Sequence, residues 1–116
     1  MKSLLVIASI CTGCAEYNST AFQTGTLGAA EASLVADWHS TRYESERGWR
    51  GHSEGNVIMG PAPSNTTVDA YTAGCMTLTA FAYPFIPRAI RPLVYLAITA
   101  IEISTVNSNM KAGTPW

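Results

Sequence analysis

Leu27, Ala30, Leu34, Trp38 and Thr41 recur at three- and four-residue spacing, with Glu31 and Asp37 set among them. That period predicts an amphipathic helix from about Leu27 to Glu44, packed on another element. The two carboxylates interrupt it too early for it to cross a bilayer alone. A second helix is predicted from about Thr67 to Tyr83. Ala70, Ala73, Gly74, Thr77 and Ala80 give it a small-residue face, which lets backbones approach closely and is the usual solution for helix packing in lipid. Thr66, with Asp69 three residues on, reads as its start signal, because hydroxyl and carboxylate satisfy first-turn amides and oppose the positive end of the dipole. A third helix is predicted from Pro92 or Leu93 to Asn107, with proline tolerated at its first position. Its first half is strongly apolar, and Glu102 interrupts it.

Between these elements the chain is punctuated. Residues 45–65 hold four glycines and two prolines and read as loop and turn. Pro84, Pro87 and Pro92 make the second junction a corner, since each removes a donor and biases its predecessor away from helix. Residues 14–26 are polar, without helical period, and read as a tether, while Met110 to Trp116 read as a C-terminal tail. One domain of three helices, residues 27–109, remains, with no internal repeat. The fold class is all-α: a three-helix bundle, or a helical hairpin plus an amphipathic helix, membrane-associated. The second and third helices are near the lower edge of length for a span, and the reading favours a membrane hairpin with Arg88 and Arg91 at the headgroups. The alternative is a compact bundle outside the membrane that oligomerises through its apolar surface.

The N-terminus shapes this further. One lysine, the run Leu4 to Ile10 and the small residues up to Gly13 read as an export signal over residues 1–13. Gly13-Cys14 resembles the bacterial lipobox, in which the cysteine is lipidated and becomes residue one, although Cys11 stands where that motif usually has Leu. Ordinary signal cleavage and an uncleaved segment are the alternatives to lipidation at Cys14. If the segment before Cys14 is lost and Cys14 is lipidated, Cys75 is the remaining thiol and no internal disulfide can form. Exported, membrane-anchored placement in the bacterial envelope follows as the expectation.

Composition agrees with a partner or lipid contact. In 116 residues only 13% are charged, and mean hydropathy is +0.13, which leaves apolar surface to be covered. A net charge of −1, with scattered Lys and Arg, gives no electrostatic case for nucleic acid.

Candidate chemistry is sparse. Asp37 and Thr41 share a helix face, and Asp37 with Arg42 or with a group from another helix makes a polar cluster, read first as interhelical hydrogen bonding. Glu102, between Ile101 and Ile103, is costly to bury unless partnered or protonated, and pairing with an Arg or with amides is its simplest account. His39, His52 and Glu54 match no metal-ligand spacing, and neither metal nor cofactor is expected. There is no nucleophile elbow, P-loop or Ser-His-Asp arrangement. Cys75 reads as a small residue of a helix face. Asn18-Ser19-Thr20 and Asn65-Thr66-Thr67 read as chance sequons.

Asp37-Trp38-His39-Ser40-Thr41-Arg42, Glu54-Gly55-Asn56-Val57-Ile58-Met59-Gly60 with Pro63-Ser64, and Glu102 with Val106 and Asn107 resemble an uncharacterised family of small exported membrane proteins of bacteria and tailed phages. Its pattern is a D-W-x-x-T-R helix, an E-x-N-P-I-L-G-x-x-P-S loop and an E-x-x-x-V-x-N helix, matched over roughly residues 34–109, with Asn107 directly after Val106 and so one position short of the pattern's asparagine. The resemblance implies that Asp37, Thr41, Arg42, Glu54, Asn56, Glu102 and Asn107 form the polar set that joins three helices. Val57 stands where the pattern has Pro, which loosens the corner at Asn56. On this reading Glu54 and Asn56 tie down helix ends while Ile58 and Met59 plug apolar surface.

The function expected is that of a structural or interaction component of the envelope, its partners being membrane lipid and a second copy or another envelope protein. If phage-encoded, host-surface alteration, lysis or assembly are its settings. The rival expectation is a small membrane enzyme with Glu54 or Glu102 as general base and Asp37, Arg42 and Asn56 positioning substrate.

Overall fold

The computed structural model describes residues 17–50 and 54–113. Three α-helices run in chain order: α1 over Thr20–Glu46, α2 over Asn65–Ala82 and α3 over Arg91–Lys111, with a 3-10 turn at Tyr83–Phe85. The signal segment, Cys14, His52 and the end of the tail lie outside the described residues.

Helix α1 begins at Thr20, not Leu27, so the polar segment assigned to a tether is helical over most of its length. The reason is local and tertiary at once. Ser19 caps the helix, its hydroxyl accepting from the Phe22 amide at 3.1 Å. Gln23, 1% exposed, then donates through Nε2 to the Arg88 carbonyl at 3.0 Å and the Tyr17 carbonyl at 3.2 Å. A buried amide tied to the α2–α3 corner holds a turn that hydropathy alone does not mark.

Helix α2 starts at Asn65 because Ser64, not Thr66, is the cap: its hydroxyl accepts from the Thr67 amide at 3.2 Å. Asp69 is thereby released from the helix start to reach across to α1. The expected small face is not the packed one, since Ala70, Ala73, Gly74, Thr77 and Ala80 are all exposed. The helix packs instead through Val68, Tyr71, Thr72, Cys75 and Thr79, whose three- and four-residue steps define a different stripe. Helix α3 runs on past Asn107 to Lys111, its hydroxyls turned back on their own carbonyls, Thr105 to Ile101 at 3.1 Å and Ser108 to Ser104 at 3.0 Å.

Helix α1 is the central element, with α2 antiparallel to it and α3 parallel to it. Helices α2 and α3 meet towards their shared corner, where the Tyr95 hydroxyl donates to the Thr79 carbonyl at 2.5 Å and the Tyr83 and Tyr95 rings lie 5.8 Å apart. Away from that corner they diverge and leave a cleft against α1. The apolar core is thin: Ala30, Leu34, Val68, Tyr95 and Val106 are its buried members.

Among the described residues no helix is long and apolar enough to cross a membrane. The spanning hairpin is therefore corrected to a three-helix arrangement built on α1. Asp69 and the threonines dilute α2, and Glu102 with the hydroxyl-rich turns after it dilutes α3.

Candidate functional site

Two features stand at opposite ends of the molecule. Asp37, Thr41 and Glu44 lie on one face of α1, spaced by four and then three residues. Helix α3 brings Ile101, Glu102, Thr105, Ser108 and Asn109 opposite them, α2 brings Tyr71 and Thr72, and the connection between α1 and α2 brings Trp49, Glu54 and Asn56. Together they line a cleft of about 610 Å³.

The connection is shaped by its own hydrogen bonds. Gly48 (φ 69°) and Trp49 (φ 55°) both take left-handed conformations, which end α1 and turn Trp49 towards the cleft. A tryptophan there is strained. Its amide donates to the Glu44 carbonyl at 3.0 Å and its indole Nε1 to the Pro63 carbonyl at 3.0 Å, which hold it in place. Further on, the Glu54 amide donates to the Pro61 carbonyl at 2.9 Å, the Asn56 amide to Glu54 Oε1 at 3.1 Å, and the Ile58 amide to Asn56 Oδ1 at 2.9 Å. Glu54 and Asn56 thus organise their own loop, and the Asn56 side-chain amide also hydrogen-bonds the Tyr71 phenol on α2. Ile58 is 77% exposed, so it does not plug apolar surface.

Electrostatics give the cleft its character. Asp37 and Glu102 face each other, and two carboxylates can share a hydrogen bond only if one holds a proton. Burial, then the charges of Glu102 and Glu54, raise the Asp37 pKa from 3.8 to about 7, against a smaller opposing effect of the Thr41 hydroxyl. Glu102 is also pushed up, by burial first, with the hydrogen bond from Asp37 opposing and the Glu54 charge adding. The hydrogen bond between them lets Asp37 and Glu102 share one proton. The Asn56 amide favours the ionised phenol of Tyr71, but burial together with Cys75 and Glu102 outweighs it and raises that group. Asp37 is hydrogen-bonded both to Glu102 and to the Thr41 hydroxyl one turn along α1.

The structure brings together Asp37, Thr41, Glu54, Asn56 and Glu102, but not Arg42 or Asn107. Arg42 turns outward, pairing with Asp69 and, through Nε at 3.1 Å, with Glu46; Trp38 Nε1 donates to the same Asp69 at 2.8 Å. The expected partner of Arg42 was Asp37; the carboxylate it finds is on α2. Glu102, expected to pair with an Arg or with amides, meets Asp37. Asn107 is exposed, and Asn109 does the joining instead, donating through Nδ2 to Ser40 Oγ at 2.8 Å. Glu44 and Asn109, absent from the expected set, each stand seven residues beyond a member of it, Asp37 and Glu102, and that same-face spacing was the available signal. His39 is exposed, and the described residues contain no group of three or more ligating side chains fit to hold a metal ion.

The second feature is the corner between α2 and α3. Phe81 (69% exposed) and Phe85 (73%) lie 5.4 Å apart between ring centroids, tilted to each other, and Ile90 and Leu93, where the chain enters α3, are exposed as well. The chain enters α1 beside this corner. The Tyr17 hydroxyl donates to the Ala89 carbonyl and the Arg88 guanidinium to the Asn18 carbonyl, both at 2.6 Å. Arg91 lies over the Tyr83 ring, 4.2 Å from its centroid, and is occupied with the Ile86 carbonyl, while Arg88 is exposed.

No protein-family model matches the chain, and no curated protein and no solved structure matches it either.

Proposed function

We propose that the protein is an exported, lipid-anchored component of the bacterial envelope that acts by binding, with its α2–α3 corner resting on the membrane interface. The observation that carries this is the position of the corner relative to the chain's entry. Cys14 lies three residues before Tyr17, and Tyr17 and Asn18 are hydrogen-bonded to Ala89 and Arg88 of the corner. An acyl anchor on Cys14 would hold Phe81, Phe85, Ile90 and Leu93 against the headgroup region, where apolar burial and the charge of Arg88 both favour contact. The acidic cleft then faces away, since Thr41 is roughly 30 Å along α1 from Thr20 at 1.5 Å per residue.

The test is membrane fractionation and intact mass of the full chain expressed in a bacterium. Wild type is expected in the membrane fraction with the mass of a lipidated Cys14. Cys14→Ser is expected to shift towards the soluble fraction, and adding Phe81→Ser and Phe85→Ser to abolish its residual binding to vesicles. A wild-type mass explained by the polypeptide alone, with the protein fully soluble, overturns the proposal.

The rival enzyme reading draws on one observation, two carboxyls facing each other in a cleft with their pKa values raised by burial, as a general base's is. Its positioning set would lack Arg42, which does not line the cleft. Glu54→Gln and Glu102→Gln separate the two readings. Variants that fold, assemble and keep every measurable activity of the wild type support the binding component, whereas a folded, correctly assembled variant that loses a measurable activity supports the enzyme.

A further inference from the structure

We infer that the outward face of α3 is a dimer seam, on which a second copy of this chain seats its own α3 in parallel and in register. The inference stands without the membrane contact proposed above: one is measured as the number of copies, the other as the membrane fraction and the mass of a single chain.

Spacing is the first ground. Leu93, Leu96, Ala100, Ile103, Asn107 and Met110 follow one another at alternating three- and four-residue steps along α3, and all six are exposed. The four large apolar members, Leu93, Leu96, Ile103 and Met110, are between 44% and 60% exposed. Such a 3.5-residue repeat is the seam of a two-helix coil, in which each side chain enters a hole on the facing helix. Glu102 and Asn109, which meet Asp37 and Ser40 of α1, belong to a different stripe of the helix, and none of the six lines the cleft. A partner on the seam therefore leaves both the α1 contact and the cleft in place.

Charge says what covers the seam. From Pro92 to Met110 the helix has one charged residue, Glu102, and it faces Asp37. A helix that rests on lipid carries Lys and Arg along its flank, and a partner of other sequence is selected by complementary charge. An uncharged, self-matching seam is what two identical chains can bring together without like-charge repulsion. Asn107 sets the direction. In a parallel, in-register pair it meets its own counterpart, and each amide can donate to the other's carbonyl; in an antiparallel pair of full overlap it meets Leu96 and is left without a partner. The parallel pair also puts both α2–α3 corners at one end, so that both copies can rest on one surface. The 21 residues of α3 give a seam about 31 Å long, which buries on the order of 1,000 Å² over the two copies, the lower bound for a specific interface.

The experiment is sedimentation equilibrium of the full chain in a density-matched non-ionic detergent, up to about 100 micromolar, above the micromolar dissociation constant that a seam of this size supports. It is paired with copper-phenanthroline oxidation of Leu96→Cys in phosphatidylglycerol–phosphatidylethanolamine vesicles. Wild type is expected to weigh as two copies. Leu96→Asp, which sets two carboxylates face to face, is expected to weaken the dimer about a hundredfold or more, while Leu78→Asp, at a more exposed leucine on α2, leaves it unchanged. Leu96→Cys is expected to link to its own counterpart, identified by mass spectrometry of the disulfide-joined peptide. An antiparallel pair holds the two sites about 16 Å apart along the helix, beyond the reach of a disulfide. Asn107→Leu is expected to tighten the dimer while lowering the yield of that link, because the amide costs stability and fixes register. Far-ultraviolet circular dichroism checks that each variant is helical, and the link at position 96 decides the matter if Leu96→Asp fails to fold. A monomer at every concentration with no link at position 96 overturns the inference, as does a dimer that folded Leu96→Asp leaves intact. For such a monomer, weaker binding of Leu96→Asp than of wild type to the same vesicles assigns the face to lipid, and equal binding assigns it to a protein of other sequence.

Discussion

Replacing Asp37 by Asn tests whether burial against Glu102 governs the carboxyl pair. The Asp37 pKa of about 7 in the folded protein lies above its ordinary 3.8. Between those values the folded state keeps a proton that the unfolded chain has released, so stability falls as pH rises through the window and levels off above it. Glu102 is shifted in the same direction and adds to the slope. Across the whole window the ceiling is about 4 kcal/mol, and between pH 5 and pH 8 about 2 kcal/mol after allowing for proton sharing and partial solvent access. Asn is neutral at every pH and its amide can donate to Glu102, so Asp37→Asn should flatten the slope. At pH 8 the variant should be more stable than wild type by about 2 kcal/mol, a rise in Tm on the order of 5–10 °C. Urea unfolding at half-unit steps from pH 5 to pH 8, followed by far-ultraviolet circular dichroism and tryptophan fluorescence, measures both curves. Wild-type stability that is level or rising over this range, or an Asp37→Asn variant less stable than wild type at pH 8, refutes the reasoning.

Ser64→Ala removes the hydroxyl that accepts from the Thr67 amide and is expected to cost about 1 kcal/mol, whereas Thr66→Ala, at the exposed position next to it, should cost far less; thermal melts of the two variants compare them directly. Ala30 is fully buried where α1 packs, so Ala30→Leu overfills the contact and should lower stability by about 1–3 kcal/mol, read as a drop in Tm with far-ultraviolet helicity retained at low temperature.

The three helices and their order were legible in the residues, because a three-to-four-residue period survives almost any packing arrangement. Their ends were less so. Thr20 to Thr26 carry no apolar stripe, and the Ser19 cap with the contact of Gln23 to Arg88 holds them as helix. Ser64 and Thr66 are both competent caps, and what decides between them is the path of the connection, held where the Ser45 hydroxyl meets the Pro63 carbonyl at 3.0 Å and Asn65 Oδ1 at 2.7 Å. The small-residue face of α2 had a sound rationale in lipid, but it is exposed here because Val68, Tyr71 and Cys75 bury a different stripe.

For the candidate site, five of the seven polar residues expected to meet do share the cleft. Their types marked them: carboxylates and amides among apolar neighbours are expensive unless they face one another. Which faces which was beyond the sequence. An arginine one turn and a residue from Asp37 invites an Asp37–Arg42 pair, yet on a helix a five-residue separation points the two side chains away from each other, and Arg42 is captured by Asp69 on α2. Residue types and period alone thus determined that three helices would meet around buried polar groups. The tertiary structure decided that α1 would be the central helix, that α2 and α3 would meet at their corner, and that Asp37 would face Glu102, because such pairings join residues dozens of positions apart and follow from which stripe each helix buries.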